Sequence, residues 1–252
     1  MNAPSLARPV PSAADLPRLA NVYVWEWPVR VTHWLNVGSI LILSFTGLYL
    51  GYPRLVVTGP AGEHFLMGTV RLVHFYAAVV FTLSVLARIV WMFAGNKYSR
   101  WDKFLPVRMI RLRGLAPTLR YYLFRLRRPP GFVGHNPLAG VAYTLLFLVF
   151  LTQIATGLAL YASQAALGSP VKFFTFLIPW LGGLQTARFL HHLAMWLIWI
   201  FAVQHVYSSI LMSQVEANAT VESIFSGYKF VPQEDLVFSG YRFIDRDTEK
   251  GG

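Results

Sequence analysis

Hydrophobic positions along this chain run on rather than alternate. Four stretches, roughly 31–51, 70–93, 138–162 and 188–212, are almost continuously apolar. Each reaches the ~20 residues needed to cross a bilayer core about 30 Å thick, so each predicts a transmembrane helix. The first 21 residues, MNAPSLARPVPSAADLPRLAN, are rich in Pro and Ala and lack an apolar signal core. They are expected to be a disordered leader, with the first helix retained. The expected organisation is a leader over 1–21, an all-α four-helix membrane domain over 22–230 and a C-terminal tail over 231–252.

Composition agrees with this pattern. Of the 252 residues, 55% are hydrophobic and only 13% charged, whereas a soluble domain carries about 25% charged residues. The net charge of +11 is unevenly placed: between Gly95 and Pro137 lie ten Lys or Arg against one acid, Asp102. The connections around 52–69 and 163–187 are far less basic. The positive-inside rule puts 95–137 in the cytoplasm with both termini on that side of the inner membrane. Topology therefore explains the charge without nucleic acid as a partner. Within the basic loop, TLRYYLFRLRR (118–128) mixes apolar and basic residues at helical spacing, which predicts an interfacial helix on anionic lipid.

The fourth stretch carries the chemistry. His191 and His205 lie fourteen residues apart, almost four whole turns, so both rings leave one helix face with a rise of about 21 Å between them. One ring falls near each membrane surface. His33, near the start of helix one, matches His205 in depth, and His74, near the start of helix two, matches His191. The result is an inner pair, His33 and His205, and an outer pair, His74 and His191, each drawn from two helices. Two bis-imidazole sites stacked across a bundle fit two b-type haems, with these four residues as axial iron ligands. His64, His135 and His192 are left in or near loops or on the wrong face. Di-iron chemistry would need histidines clustered at one depth, and no HxxxH or HxxHH cluster occurs.

Three of the four ligand candidates follow an arginine by three residues: Arg30, Arg71 and Arg188. Each sits one turn nearer the membrane surface, where a guanidinium meets a haem propionate or snorkels to lipid headgroups. Fourteen residues beyond His33 is Gly47, which would admit a macrocycle at the outer haem or serve close helix packing. Fourteen beyond His74 is Arg88, a candidate for an inner propionate, a quinone or plain anchoring. The chain has no cysteine, which excludes disulfides, haem attachment through CxxCH and thiolate ligation of nickel or iron–sulfur clusters.

The stretches YVWEWPVRVTHWLN, MGTVRLVHFYAAVVFTLSVLARIVWMFAGNKYSR, RRPPGFVGHNPLAG, HHLAMWLIWIFAVQHVY and SIFSGYKF resemble the b-type cytochrome subunit of membrane-bound nickel–iron uptake hydrogenases. The resemblance spans roughly residues 22–230, and its wider relatives are the cytochrome subunits of formate dehydrogenases. It implies a subunit that anchors an external hydrogenase of small and large subunits. Electrons arrive from the small subunit's distal iron–sulfur cluster and pass through haem b to quinone. The family's haem-binding histidines match His33, His74, His191 and His205, while His192 stands where the family has an Arg. Partner contact is expected on the connections at 52–69 and 163–187, with His64 as a candidate. A quinone site is expected at His135 and Asn136, because related formate dehydrogenase subunits place an Asn of this loop against their quinone. Asn136 before Pro137 also suits a helix N-cap. A different quinone-linked dehydrogenase as partner and a histidine-lined transporter or proton channel remain the alternatives.

Overall fold

The computed structural model describes residues 19–53, 65–105, 107, 109–126, 132–216 and 218–232. His64 and the basic residues around 127–131 lie outside them. In chain order the elements are β1 (Leu19–Tyr23), α1 (Trp27–Gly51), α2 (Leu66–Ala94), α3 (Met109–Tyr122), α4 (Pro137–Gln164), α5 (Leu177–Trp180), α6 (Leu184–Glu216), α7 (Ser223–Ser226) and β2 (Tyr228–Pro232). Short 3₁₀ turns occupy Trp101–Lys103 and Pro170–Phe176. Among the described residues, α1, α2, α4 and α6 are long and apolar enough to cross a membrane. The chain is a multi-pass membrane protein, and each helix extends a few residues beyond the stretch expected from sequence.

The packing is inverted relative to a soluble bundle. Outward faces carry exposed apolar residues such as Phe45, Leu83, Val90, Ile200 and Val203, while Thr32, Ser39, Ser44, Ser84 and Thr156 are buried between helices. Small hydroxyl residues let helices approach closely, and in lipid their side chains must find partners within the protein. Thr32 and Ser44 donate to carbonyls of their own helix, and Trp199 Nε1 donates to Ser44 Oγ at 2.9 Å, joining α6 to α1 at mid-depth. There Phe81, Val85, Phe150 and Ile198 form an apolar cluster, with Phe81 and Phe150 edge to face at 5.1 Å.

One end of the bundle carries an antiparallel ribbon in which Leu19 pairs with Pro232 and Tyr23 with Tyr228. Among the described residues the regular structure is helical apart from one small two-stranded sheet. Strand β1 starts inside the stretch expected to be disordered, and β2 runs into the expected tail. An even number of crossings returns both ends of the domain to one side, where their backbones satisfy each other. Gly227, at φ 90°, makes the turn into β2, and its carbonyl accepts from the amides of Val24 and Trp25. Glu26 ties this end together by accepting from Trp91 Nε1 (2.9 Å), the Asn96 amide (2.7 Å) and Ser99 Oγ (3.2 Å).

The interfacial helix lies upstream of its expected position. Helix α3 ends at Tyr122, and Phe124 at φ 58° closes it. The Arg125 amide reaches the Arg120 carbonyl and the Phe124 amide reaches that of Tyr121, the paired bonds of a Schellman motif. Its buried side is Arg111, Gly114 and Thr118, whereas Met109, Leu112 and Leu119 are exposed. That apolar stripe, with Arg113 and Arg120 beside it, suits a helix lying on lipid.

Candidate functional site

At the ribbon end a cavity of ≈ 560 Å³ opens between α1, α4 and α6. His33 from α1 and His205 from α6 face each other across it, with ring centroids 6.3 Å apart. A metal held between two imidazoles by bonds of about 2.0–2.1 Å separates the ring centres by roughly 6 Å, so the pair is spaced for one ion between them. The His205 ring stacks on Phe201, 8° from parallel, and its Nδ1 lies 3.1 Å from the Tyr143 hydroxyl. Nδ1 of His33 is buried with no hydrogen-bond partner among the described residues. Arg88 lines the same cavity from α2. Its guanidinium lies over the Phe104 ring at 5.0 Å and Nη2 donates to the Ser99 carbonyl at 3.3 Å. The buried Nη1 has no partner among the described residues. Facing imidazoles in an apolar cavity, with a buried cationic donor left over, fit an iron macrocycle bearing carboxylates.

At the opposite end, His74 and His191 each rest on a neighbouring helix in the same way. Nδ1 of His74 in α2 lies 2.8 Å from Thr46 Oγ1 in α1. A Cβ on Gly47 would come within 3.3 Å of this ring. Nδ1 of His191 in α6 lies 2.9 Å from Thr156 Oγ1 in α4, and a Cβ on Gly157 would come within 3.2 Å of that ring. Gly47 thus makes room for the imidazole of His74. Nε2 of His191 meets the Gln153 amide nitrogen at 3.1 Å, and the buried Oε1 of Gln153 has no partner among the described residues. His192 turns away from His191, their rings 88° apart, and packs toward Gly51. Among the described residues no three or more His, Cys, Asp or Glu gather as a metal-binding group. Pairs, not clusters, are the arrangement.

Residues 24–227 match the family described as prokaryotic cytochrome b561. The chain belongs to this family. Membership makes b-type haem its cofactor. The cytochrome is 40% identical over 210 residues to a Cupriavidus necator protein named probable Ni/Fe-hydrogenase B-type cytochrome subunit, covering 82% of this chain and 86% of that one. It is 39% identical over 211 residues to the probable Ni/Fe-hydrogenase 1 B-type cytochrome subunit of Escherichia coli K12, covering 82% and 90%. A Bradyrhizobium diazoefficiens protein named in the same way as the first is 36% identical over 209 residues, covering 82% and 85%.

The arginines of this cytochrome divide by environment. Arg30 is turned to the protein, where Nη1 donates to the Phe225 carbonyl while its buried Nε lacks a partner among the described residues. Arg71 and Arg188 are exposed at the far end, and Arg188 bonds Gln185 at 2.9 Å. Of the four arginine candidates only Arg88 lines the ribbon-end cavity.

His135 and Asn136 also line that cavity. Asn136 caps α4, its Oδ1 accepting from the Ala139 amide at 2.8 Å, with Pro137 in the first turn. His135 is packed among Trp25 (4.7 Å), Tyr143 (4.6 Å) and Phe104 (5.7 Å). Burial, then Lys229, Arg88, Arg111 and His205, hold its pKa well below the ordinary histidine value, so it is neutral at physiological pH. Two buried cations of this end escaped sequence reasoning. Arg111, pushed down to about 10 by burial and opposed by Asp102, donates to the carbonyls of Lys103, His135 and Asn136 and so fixes the loop into α4. Lys229 in β2 lines the cavity, its pKa lowered by burial and opposed by Glu216. Thr46, Thr156, Tyr143 and Gln153 were missed as well. The two threonines share a short repeat, Thr-Gly-Leu at 46–48 and again at 156–158, which by itself does not point to an imidazole.

Proposed function

We propose that this cytochrome is the membrane anchor and electron-transfer subunit of a Ni/Fe hydrogenase, delivering electrons from the hydrogenase to membrane quinone. The observation that carries the reading is the division of four histidines into two pairs at opposite ends of one bundle, with α6 supplying a member of each. His33 and His205 hold one b-type haem and His74 and His191 the other. Bound haem would supply reversible one-electron carriage. Arg88 would neutralise a propionate of the His33/His205 haem from the wall of the cavity. The far end faces the periplasm and receives the hydrogenase small and large subunits over the connections at 52–69 and 163–187. The ribbon end faces the cytoplasm, the side to which the positive-inside rule assigns the basic loop. There His135 and Asn136 offer donors to a quinone carbonyl in a mostly apolar cleft. The names of the similar proteins support the hydrogenase as partner.

An oxidised-minus-reduced spectrum of the purified chain tests the reading. Two b-haem components of different potential are expected, both reducible by hydrogen when the hydrogenase is attached. Absence of b-haem absorption, or haem that hydrogen does not reduce in the intact complex, would remove it.

A further inference from the structure

The contacts at His74 and His191 favour one tautomer of each ring. A threonine hydroxyl has a single proton. Thr46 Oγ1 donates to the Ile42 carbonyl at 2.7 Å, and Thr156 Oγ1 donates to the Thr152 carbonyl at 2.7 Å. Both are carbonyls four residues back on the same helix, the usual target of a helical threonine, and a carbonyl only accepts. The hydroxyl oxygens therefore accept from the imidazoles, and Nδ1 of each histidine carries the hydrogen. A neutral imidazole protonated at Nδ1 has its lone pair on Nε2. The Gln153 amide nitrogen, 3.1 Å from Nε2 of His191, fits the same tautomer.

The geometry points to Thr46 and Thr156 as positioning residues that fix the tautomer and direction of both histidines of the far-end haem, each working with the glycine that follows it. The inference rests on the reading of His74 and His191 as haem ligands. The arrangement is duplicated: α1 serves α2 as α4 serves α6, with Thr-Gly presenting an acceptor and leaving room for the ring in each helical hairpin. The ribbon-end pair is held differently. The Tyr143 phenol is able to donate to His205 or accept from it, and His33 Nδ1 has no partner among the described residues. Fixing the ligand through its second nitrogen raises its basicity toward the metal, and losing such a partner typically weakens metal binding about 10–100-fold. A more basic imidazole favours ferric over ferrous iron.

The test uses the full chain in membranes with its haem. Thr46→Val and Thr156→Val keep the shape and remove the acceptor. Each is expected to raise the reduction potential of the far-end haem, shift its ferric low-spin resonance and release that haem about 10–100-fold more readily. The ribbon-end haem should be unchanged, and Thr→Ser at either position should restore wild-type behaviour. Thr→Ala removes the acceptor without a second Cβ methyl and gives the same reading if a Val variant does not insert. Unchanged potential, resonance and retention in the Val or Ala variants would overturn the proposal, as would Ser variants that behave like Val. His74→Ala and His191→Ala identify failure of the underlying reading: if the far-end haem survives both with unaltered spectra, the ligand assignment is wrong and the threonine roles fall with it.

Discussion

His135 is a neutral ring enclosed by Trp25, Tyr143 and Phe104 and surrounded by cations. The unfolded chain takes up a proton here near pH 6.5, whereas the folded chain resists protonation until well below that value. Acidification below about pH 6.5 therefore favours the unfolded state, and the stability is fully present above it. Thermal unfolding of His135→Phe in detergent should show a weaker loss between pH 7 and 5 than wild type. An identical pH profile would show that the ring is not excluded from charge. None of this enclosure is visible in sequence, where His135 is a loop histidine expected at a quinone site on the strength of the resemblance alone. His191 and His205 are the opposite case. Their spacing of fourteen places both rings on one face of α6, because helical spacing converts directly into direction and depth. The threonines beneath the far-end histidines were not legible in the same way. A hydroxyl inside a membrane helix satisfies its own backbone, and only the fold shows which ones also accept from a neighbouring helix.

At the scale of elements, the four spanning helices could be read off because a long apolar run in a chain with so little charge fits little besides a membrane span. Their ends moved by only a few residues. The ribbon could not be read: β1 and β2 lie about 200 residues apart, and their pairing follows from an even number of crossings rather than from any local pattern. The end of α3 was equally hidden, because alternating apolar and basic residues continue past Tyr122 while the backbone turns at Phe124. A non-glycine residue in that left-handed conformation is strained by roughly 1–2 kcal/mol. Phe124→Gly should therefore raise thermal stability by about 1 kcal/mol, and a decrease would mean that the Phe side chain contributes more than the strain removes. Asn136 tests two roles at the start of α4. If it only caps, Asn136→Ala loses about 1 kcal/mol and little else. If it also contacts quinone, hydrogen-dependent quinone reduction falls while hydrogen still reduces the haem.

For the whole molecule, the decisive question is whether the two ends act in series. The bundle places one histidine pair at each end, separates them by the apolar cluster around Phe81 and Phe150, and links both through α6 with about 21 Å of rise between its two histidines. If the far end receives electrons and the ribbon end delivers them, variants at the two ends fail in different ways. His205→Ala should lose the ribbon-end haem and abolish quinone reduction, while hydrogen still reduces the haem that remains. His191→Ala should lose the far-end haem, and hydrogen should then reduce the remaining haem slowly or not at all, although dithionite reduces it. His192→Ala, whose ring points toward Gly51, should leave both haems and both reactions near wild type. Stopped-flow reduction of the intact complex by hydrogen, followed in the haem spectrum with and without quinone, distinguishes these outcomes. Rapid hydrogen reduction of the remaining haem in His191→Ala would mean that electrons enter at the ribbon end. The hydrogenase would then sit on the side of the basic loop, and the proposed orientation in the membrane would have to be reversed.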